Sequence, residues 1–155
     1  MFNEMFNEEM FNEEMFNAEM LNAEMLIKMF NTKHSPMFNT SCVLIKQRLQ
    51  YINSIIEGHK LKTDTTDSLN IAFINDVMAC YDDITNTINI VINNSDKVTM
   101  KLFEIDFNIV KQFIASVNKL SNNYFLTNTN FQTNLTIMIE LNNKLSEKLD
   151  ELRND

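Results

Sequence analysis

Two histidines, two cysteines and 21 carboxylates are the side chains with which this chain of 155 residues could do chemistry. His34 and His59 are 25 residues apart, and both fall in stretches expected to be linkers. No pair of histidines or cysteines has the close spacing of a structural zinc site. Cys42 and His59 are the sole candidates for a nucleophile with its base. No third group stands ready to orient the histidine, and no glycine-rich turn surrounds the cysteine. Asp76 with Asp82 and Asp83, or Glu104 with Asp106, could attract a cation. Neighbours on a helix diverge by about 100°, so such pairs do not converge on one ion. A single glycine cannot build a phosphate-cradling loop. The expectation is a protein without catalytic, cofactor or metal site.

Charge narrows the remaining classes. The net charge is −8. Residues 1–27 hold seven glutamates (Glu4, Glu8, Glu9, Glu13, Glu14, Glu19 and Glu24) and no base, and the rest carries 14 acids and 13 bases. Neither part is a basic footprint, so direct nucleic-acid binding is not expected. No run approaches the ~20 apolar residues of a membrane span, and the acidic N-terminus does not read as a secretory signal. Cys42 and Cys80 are too few for a disulfide framework and read as small buried residues. Sequons at Asn39, Asn93 and Asn134 are expected by chance in a chain so rich in Asn and Thr. The expected setting is the cytoplasm or nucleus, or a virion.

Contacts with other proteins are the chemistry left, and the first 31 residues bear on it. They repeat one phrase, MFNE-MFNEE-MFNEE-MFNAE-MLNAE-MLIK-MFN. A five-residue step turns a helix face by about 140°, so Met5/Phe6, Met10/Phe11 and Met15/Phe16 would wind around a helix. An odd period flips faces on a strand. Neither geometry gives one greasy side. The repeat is either a tolerated product of sequence duplication or an acidic, apolar arm that orders against partners. In the second case Phe6, Phe11 and Phe16 are its contact residues. Eight of the 11 Met lie in residues 1–37, so Met-based recognition would belong to the arm. Pro36, after Ser35, is expected to stop any helix arriving from the arm.

One Gly and one Pro in the whole chain speak against sheets, whose tight turns draw on both. Long helices joined by polar loops are expected instead, with the 24 Asn serving as turn and cap residues. Rich in Asn, Ile, Phe and Met and poor in Gly, Pro, Arg and Ala, the composition matches an AT-rich coding genome, such as those of many large DNA viruses, some parasites and endosymbionts.

Residues 1–36 therefore read as a repeat arm and 37–155 as a helical body. A first helix is expected over about 41–57, capped by Thr40 or Ser41, with Ile45, Leu49, Ile52 and Ile56 in one stripe and Gly58 as the C′ residue. A second over about 68–92, capped by Asp67 or Ser68, carries Ile74, Val77, Tyr81, Ile84, Ile88 and Val91 at heptad spacing. The alternation Ile88–Ile92 could be a strand, but the seam continues through it. A third, about 95–121 from Ser95, has two stripes, Val98–Leu102–Ile105–Ile109 and Val110–Phe113–Val117–Leu120. A loop with Tyr124 and Phe125 leads to a fourth, about 129–153. Its seam is Phe131, Leu135, Met138, Asn142, Leu145, Leu149 and Leu152. Asn142 is polar at an a position, where a buried Asn fixes register; the alternative is that it faces water. Lys148 can reach Glu151, and the charges of this segment read as a solvated face.

The fold expected is all-α: an elongated four-helix bundle or antiparallel coiled-coil hairpins behind a low-complexity arm. The function expected is a non-enzymatic assembly protein that works through helix–helix contacts, with viral particles as the setting. Its contact residues are Phe6, Phe11, Phe16, Leu135, Met138, Asn142, Leu145, Leu149 and Leu152, and its partners are copies of itself or other assembly subunits. The alternative is a regulatory module whose arm engages a host or cellular protein.

Overall fold

The computed structural model describes residues 35–62, 66–94, 97–122 and 128–154. Four helices fill them: α1 (Pro36–Lys60), α2 (Asp67–Asn94), α3 (Lys97–Asn122) and α4 (Asn128–Asn154). The all-α four-helix bundle expected from the sequence is the fold observed. α1 packs against α2 and α4, and α3 against the same two, so α1 lies diagonally opposite α3 and α2 opposite α4. The arm with Phe6, Phe11, Phe16 and His34 lies outside the described residues, as do Ser95, Tyr124 and Phe125. Among the described residues, no helix is long and apolar enough to cross a membrane.

The helix ends correct several expectations. α1 starts at Pro36, five residues before the expected position. Pro36 is the first helical residue, where its fixed φ suits the helix and its missing N–H would have no partner in any case. Ser35 is the cap in place of Thr40 or Ser41: its Oγ accepts from the Phe38 N–H at 3.1 Å. At the other end α1 passes through Gly58 to Lys60, and Leu61, with φ −78° and ψ −12°, ends it in a right-handed conformation. No left-handed glycine is needed there, so Gly58 is a helix residue and His59 is not in a linker. α2 is capped by Thr66, whose Oγ1 accepts from Leu69 N–H at 3.2 Å, in place of Asp67 or Ser68. Residues 88–92 are helical, as the seam argued.

The buried side chains of α1 and α2 follow strict alternating steps of four and three. On α1 they run Phe38, Cys42, Ile45, Leu49, Ile52, Ile56 and His59. On α2 they run Asn70, Ile74, Val77, Tyr81, Ile84, Ile88 and Val91. α4 buries a wider face, with Asn134, Leu141 and Lys148 added beside its expected seam. Each fully buried aliphatic or aromatic side chain contributes about 1.5–3 kcal/mol through removal from water.

α3 departs from its expected first stripe. Met100, Phe103, Phe107, Val110 and Ile114 face the core, while Val98 and Ile105 are exposed. Both sets recur at helical spacing, and the helix rotates to bury the one with two Phe, Phe103 and Phe107. Aromatic rings remove more apolar area than Val or Ile. The second stripe holds at Val110, Phe113 and Val117, and Leu120 is partly buried against the core.

Charge is also placed inside. Lys148 and Asp106 are both fully buried, on the neighbouring helices α4 and α3. Lys148 therefore overturns the solvated-face reading of the C-terminal charges, although its Nζ does lie 4.0 Å from Glu151 at i+3.

Polar contacts between α1 and α4 form a ladder. Lys46 Nζ donates to Asp150 Oδ2 at 2.6 Å, Asn53 Nδ2 to Asn143 Oδ1 at 3.0 Å, and Lys60 Nζ to Thr136 Oγ1 at 2.8 Å. The rungs step by seven on both helices in opposite senses, so the pair is antiparallel and in a single register.

Candidate functional site

Among the described residues, the chemistry considered from the sequence is not assembled. Cys42 is buried in α1, 17 residues from His59 on the same helix and so about 25 Å away. A nucleophile and base cannot cooperate at that distance. Cys80 sits partly buried on α2. Burial pushes its thiol pKa up, and the nearby carboxylates of Asp83 and Asp76 push the same way, so the reactive thiolate is disfavoured. Asp82 pairs with Lys111 of α3 at 3.0 Å. Among the described residues, no three His, Cys, Asp or Glu side chains come together in a way that could hold a metal ion.

The predicted contact residues of α4 are gathered in one place. Leu135, Met138, Asn142, Leu145, Leu149 and Leu152 are all fully buried in the core of the single chain. Asn142 has its partners there. The Tyr81 hydroxyl donates to Asn142 Oδ1, and Asn142 Nδ2 donates to Asn53 Oδ1 at 2.8 Å. This small network joins α1, α2 and α4. Burial pushes the Tyr81 phenol far above its ordinary range, and the Asn142 hydrogen bond offsets only part of that.

What the bundle leaves open is a cleft between α1 and α2. A cavity of about 480 Å³ occupies it, lined by Tyr51, Ile55, Gly58, His59, Lys62, Phe73, Asp76 and Cys80. The strict four-three burial of these two helices explains the opening. Side chains that flank a narrow seam, such as Ile55 and Phe73, are only partly covered. Along α1, Met37, Leu44 and Tyr51 follow one another at seven-residue steps and stay exposed, and Leu69 and Ile90 are exposed on α2. These exposed apolar residues of α1 and α2 are not among the contact residues expected from the sequence. The signal was readable: Met37–Leu44–Tyr51 is a second apolar row on α1, offset from the core stripe.

His59 is the chemical centre of the cavity wall. It is 2% exposed. Its ring stacks on Phe73, with centroids 4.1 Å apart and planes 9° from parallel, and meets the edge of Phe131 at 5.9 Å. Nε2 lies 2.8 Å from Asn70 Oδ1. An amide oxygen can only accept, so Nε2 carries the proton and donates. Nδ1, on the other side of the ring, is buried and has no hydrogen-bond partner among the described residues. The sequence does not signal a buried histidine with one nitrogen unmatched, because Gly58 reads as the end of the helix.

Gly58 shapes the same wall. A Cβ built there would meet nothing within 4 Å, and its backbone is helical. Neither backbone conformation nor packing within the bundle calls for glycine. Its position costs helix stability of about 1 kcal/mol relative to alanine.

No protein-family model, no curated protein and no solved structure matches this chain.

Proposed function

We propose that this is a non-enzymatic assembly protein that acts through contacts with other protein chains, its own copies first among them. The observation that carries the reading is the exposed apolar row of Met37, Leu44 and Tyr51, which runs beside the α1–α2 cleft of a bundle whose own core is already complete. Apolar side chains repeated along one exposed helix face offer a partner a row of contacts. The acidic, apolar repeat of residues 1–31 supplies a second adhesive element. The setting of a viral particle rests on composition alone: Asn- and Ile-rich, Gly- and Pro-poor coding with an expanded repeat.

A regulatory module is the second reading, favoured by the composition of the arm. Acidic residues interleaved with Phe and Met resemble disordered activation segments that engage a cellular protein.

The test is the mass of the full chain in solution, by light scattering across a range of concentrations. Assembly predicts species well above 18.2 kDa that grow with concentration. A monomer at every concentration would sink the assembly reading and leave the regulatory one.

A further inference from the structure

Exposed apolar side chains on α1 and on α3 have different charged borders. The row of Met37, Leu44 and Tyr51 on α1 borders α2, which carries Asp67, Asp76, Asp82 and Asp83 and no base. On α3, Val98 and Ile105 are exposed, with Leu102 half-buried between them. The charged side chains at exposed positions of α3 are all lysines: Lys97, Lys101 and Lys119. Glu104 is half-buried and Asp106 is buried. None of the three lysines forms an ion pair with another described residue. On α4, which packs beside α3, Glu151 already has Lys148 4.0 Å away. We infer that the glutamate-rich arm, residues 1–27, docks on this lysine-flanked face of α3 in its own chain. The contact is separate from the row on α1 that carries the assembly reading, and it stands or falls without it.

Residues 1–27 hold seven glutamates and no base, interleaved with Met-Phe and Met-Leu pairs. The α3 face has the same chemistry with the opposite sign. Lys101 stands three residues after Val98 and four before Ile105, so apolar contacts flank a cation on one side of the helix. One Met-Phe-Asn-Glu phrase places two apolar side chains within three residues of a carboxylate. A single phrase can therefore cover Val98, Leu102 and Ile105 while its Glu meets Lys101 or Lys97, and it needs no helical face of its own. Two copies of α3 laid face to face would instead bring lysine against lysine. The carboxylates of α2 repel an acidic segment from the α1 row in the same way.

The tether selects the chain's own face. Helices joined by short connections alternate in direction, so α1 and α3 begin at the same end of the bundle. Neighbouring helix axes lie about 8–10 Å apart, which puts the start of α3 about 13 Å diagonally from the start of α1. An extended chain covers about 3.3 Å per residue, so the stretch from Glu24 to Ser35 spans up to about 36 Å. Every phrase up to Glu24 is long enough in tether to pass round the bundle to α3. A segment held this way meets its own face at an effective concentration on the order of millimolar, far above that of free copies in dilute solution. While docked, the arm is withheld from other chains, and salt that screens the lysines releases it.

The experiment uses the full chain with benzoylphenylalanine in place of Phe11, irradiated at low concentration in a mixture of isotopically light and heavy copies. Cross-links from position 11 to residues 97–109 within single chains are expected, with a yield that falls several-fold between low salt and about 1 M. Lys97→Glu with Lys101→Glu, both at exposed positions, should keep the helix content and cut the yield about tenfold. Changing Glu8, Glu9, Glu13 and Glu14 to Lys in that variant should restore the yield, which a merely damaged helix would not allow. Cross-links to another surface, cross-links only between light and heavy chains, or a yield indifferent to salt and to charge reversal overturn the inference. If the lysine variant fails to fold, the salt series alone decides. Light scattering on the same samples keeps the two readings apart. A monomer with cross-links inside single chains removes assembly and keeps the docking, and an assembly without them does the reverse.

Discussion

The Tyr81 hydroxyl donates to Asn142 Oδ1 across the middle of the bundle, joining α2 and α4, helices that otherwise lie diagonally apart. Both residues are buried, and Asn142 passes the network on to Asn53 of α1. The polar a position of α4 is thereby matched inside one chain.

Asn142→Leu should therefore destabilise the protein, by about 1–3 kcal/mol, because it leaves the Tyr81 hydroxyl buried without its acceptor. This reverses what an isolated helical seam would suggest, where a leucine in place of a buried Asn gains stability. The double variant Tyr81→Phe with Asn142→Leu should recover much of the loss. Chemical denaturation of the four proteins in the cycle measures the coupling. Additive losses would show that the two side chains do not act as a unit.

Tyr81 also predicts a pH dependence. Its phenol binds its proton more tightly in the folded state than in the unfolded chain, whose tyrosines titrate near 10. The stabilisation is full below pH about 10 and is lost as pH rises above that, by up to about 1.4 kcal/mol per pH unit. Tyr81→Phe should flatten the alkaline limb of stability against pH. An unchanged limb would place the origin of alkaline sensitivity elsewhere.

Gly58→Ala should raise stability by about 0.5–1 kcal/mol, since the position is helical and a Cβ meets open space. Thermal melts of the full chain read this directly. A fall in stability would mean that the end of α1 is not helical in solution.

On α3 the two apolar sets can be told apart. Ile105→Ala, at an exposed position, should change stability by less than about 0.5 kcal/mol. Phe107→Ala, in the core and 5.7 Å from the Tyr81 ring, should cost about 3–5 kcal/mol. Equal costs would show that α3 is rotated from the orientation described.

The fold was legible where one physical signal acted alone. Scarcity of Gly and Pro, and unbroken four-three spacing on α1, α2 and α4, left helices as the sole economical solution. It was illegible where two signals competed. On α3, aliphatic and aromatic sets have equally good spacing, and only the packing of Phe103 and Phe107 into the bundle chooses between them. At the ends of α1, Pro36 and Gly58 read as breakers, whereas one starts the helix and the other sits within it. With Gly58 as a helix end, His59 falls in a loop and its burial is hidden. The burial of Lys148 followed from the width of the face α4 shares with its neighbours, which a seven-residue stripe does not report.

An apolar stripe that repeats every seven residues is blind to displacement by seven. The leucines of α4 would again meet aliphatic side chains if α4 slid one repeat along α1. The rungs Lys46–Asp150, Asn53–Asn143 and Lys60–Thr136 are not interchangeable. After such a slip Lys46 would face Asn143, Asn53 would face Thr136, and Asn142 would leave Tyr81. The rungs and the central amide thus work like the notches of a key, rejecting alignments that oil alone would accept.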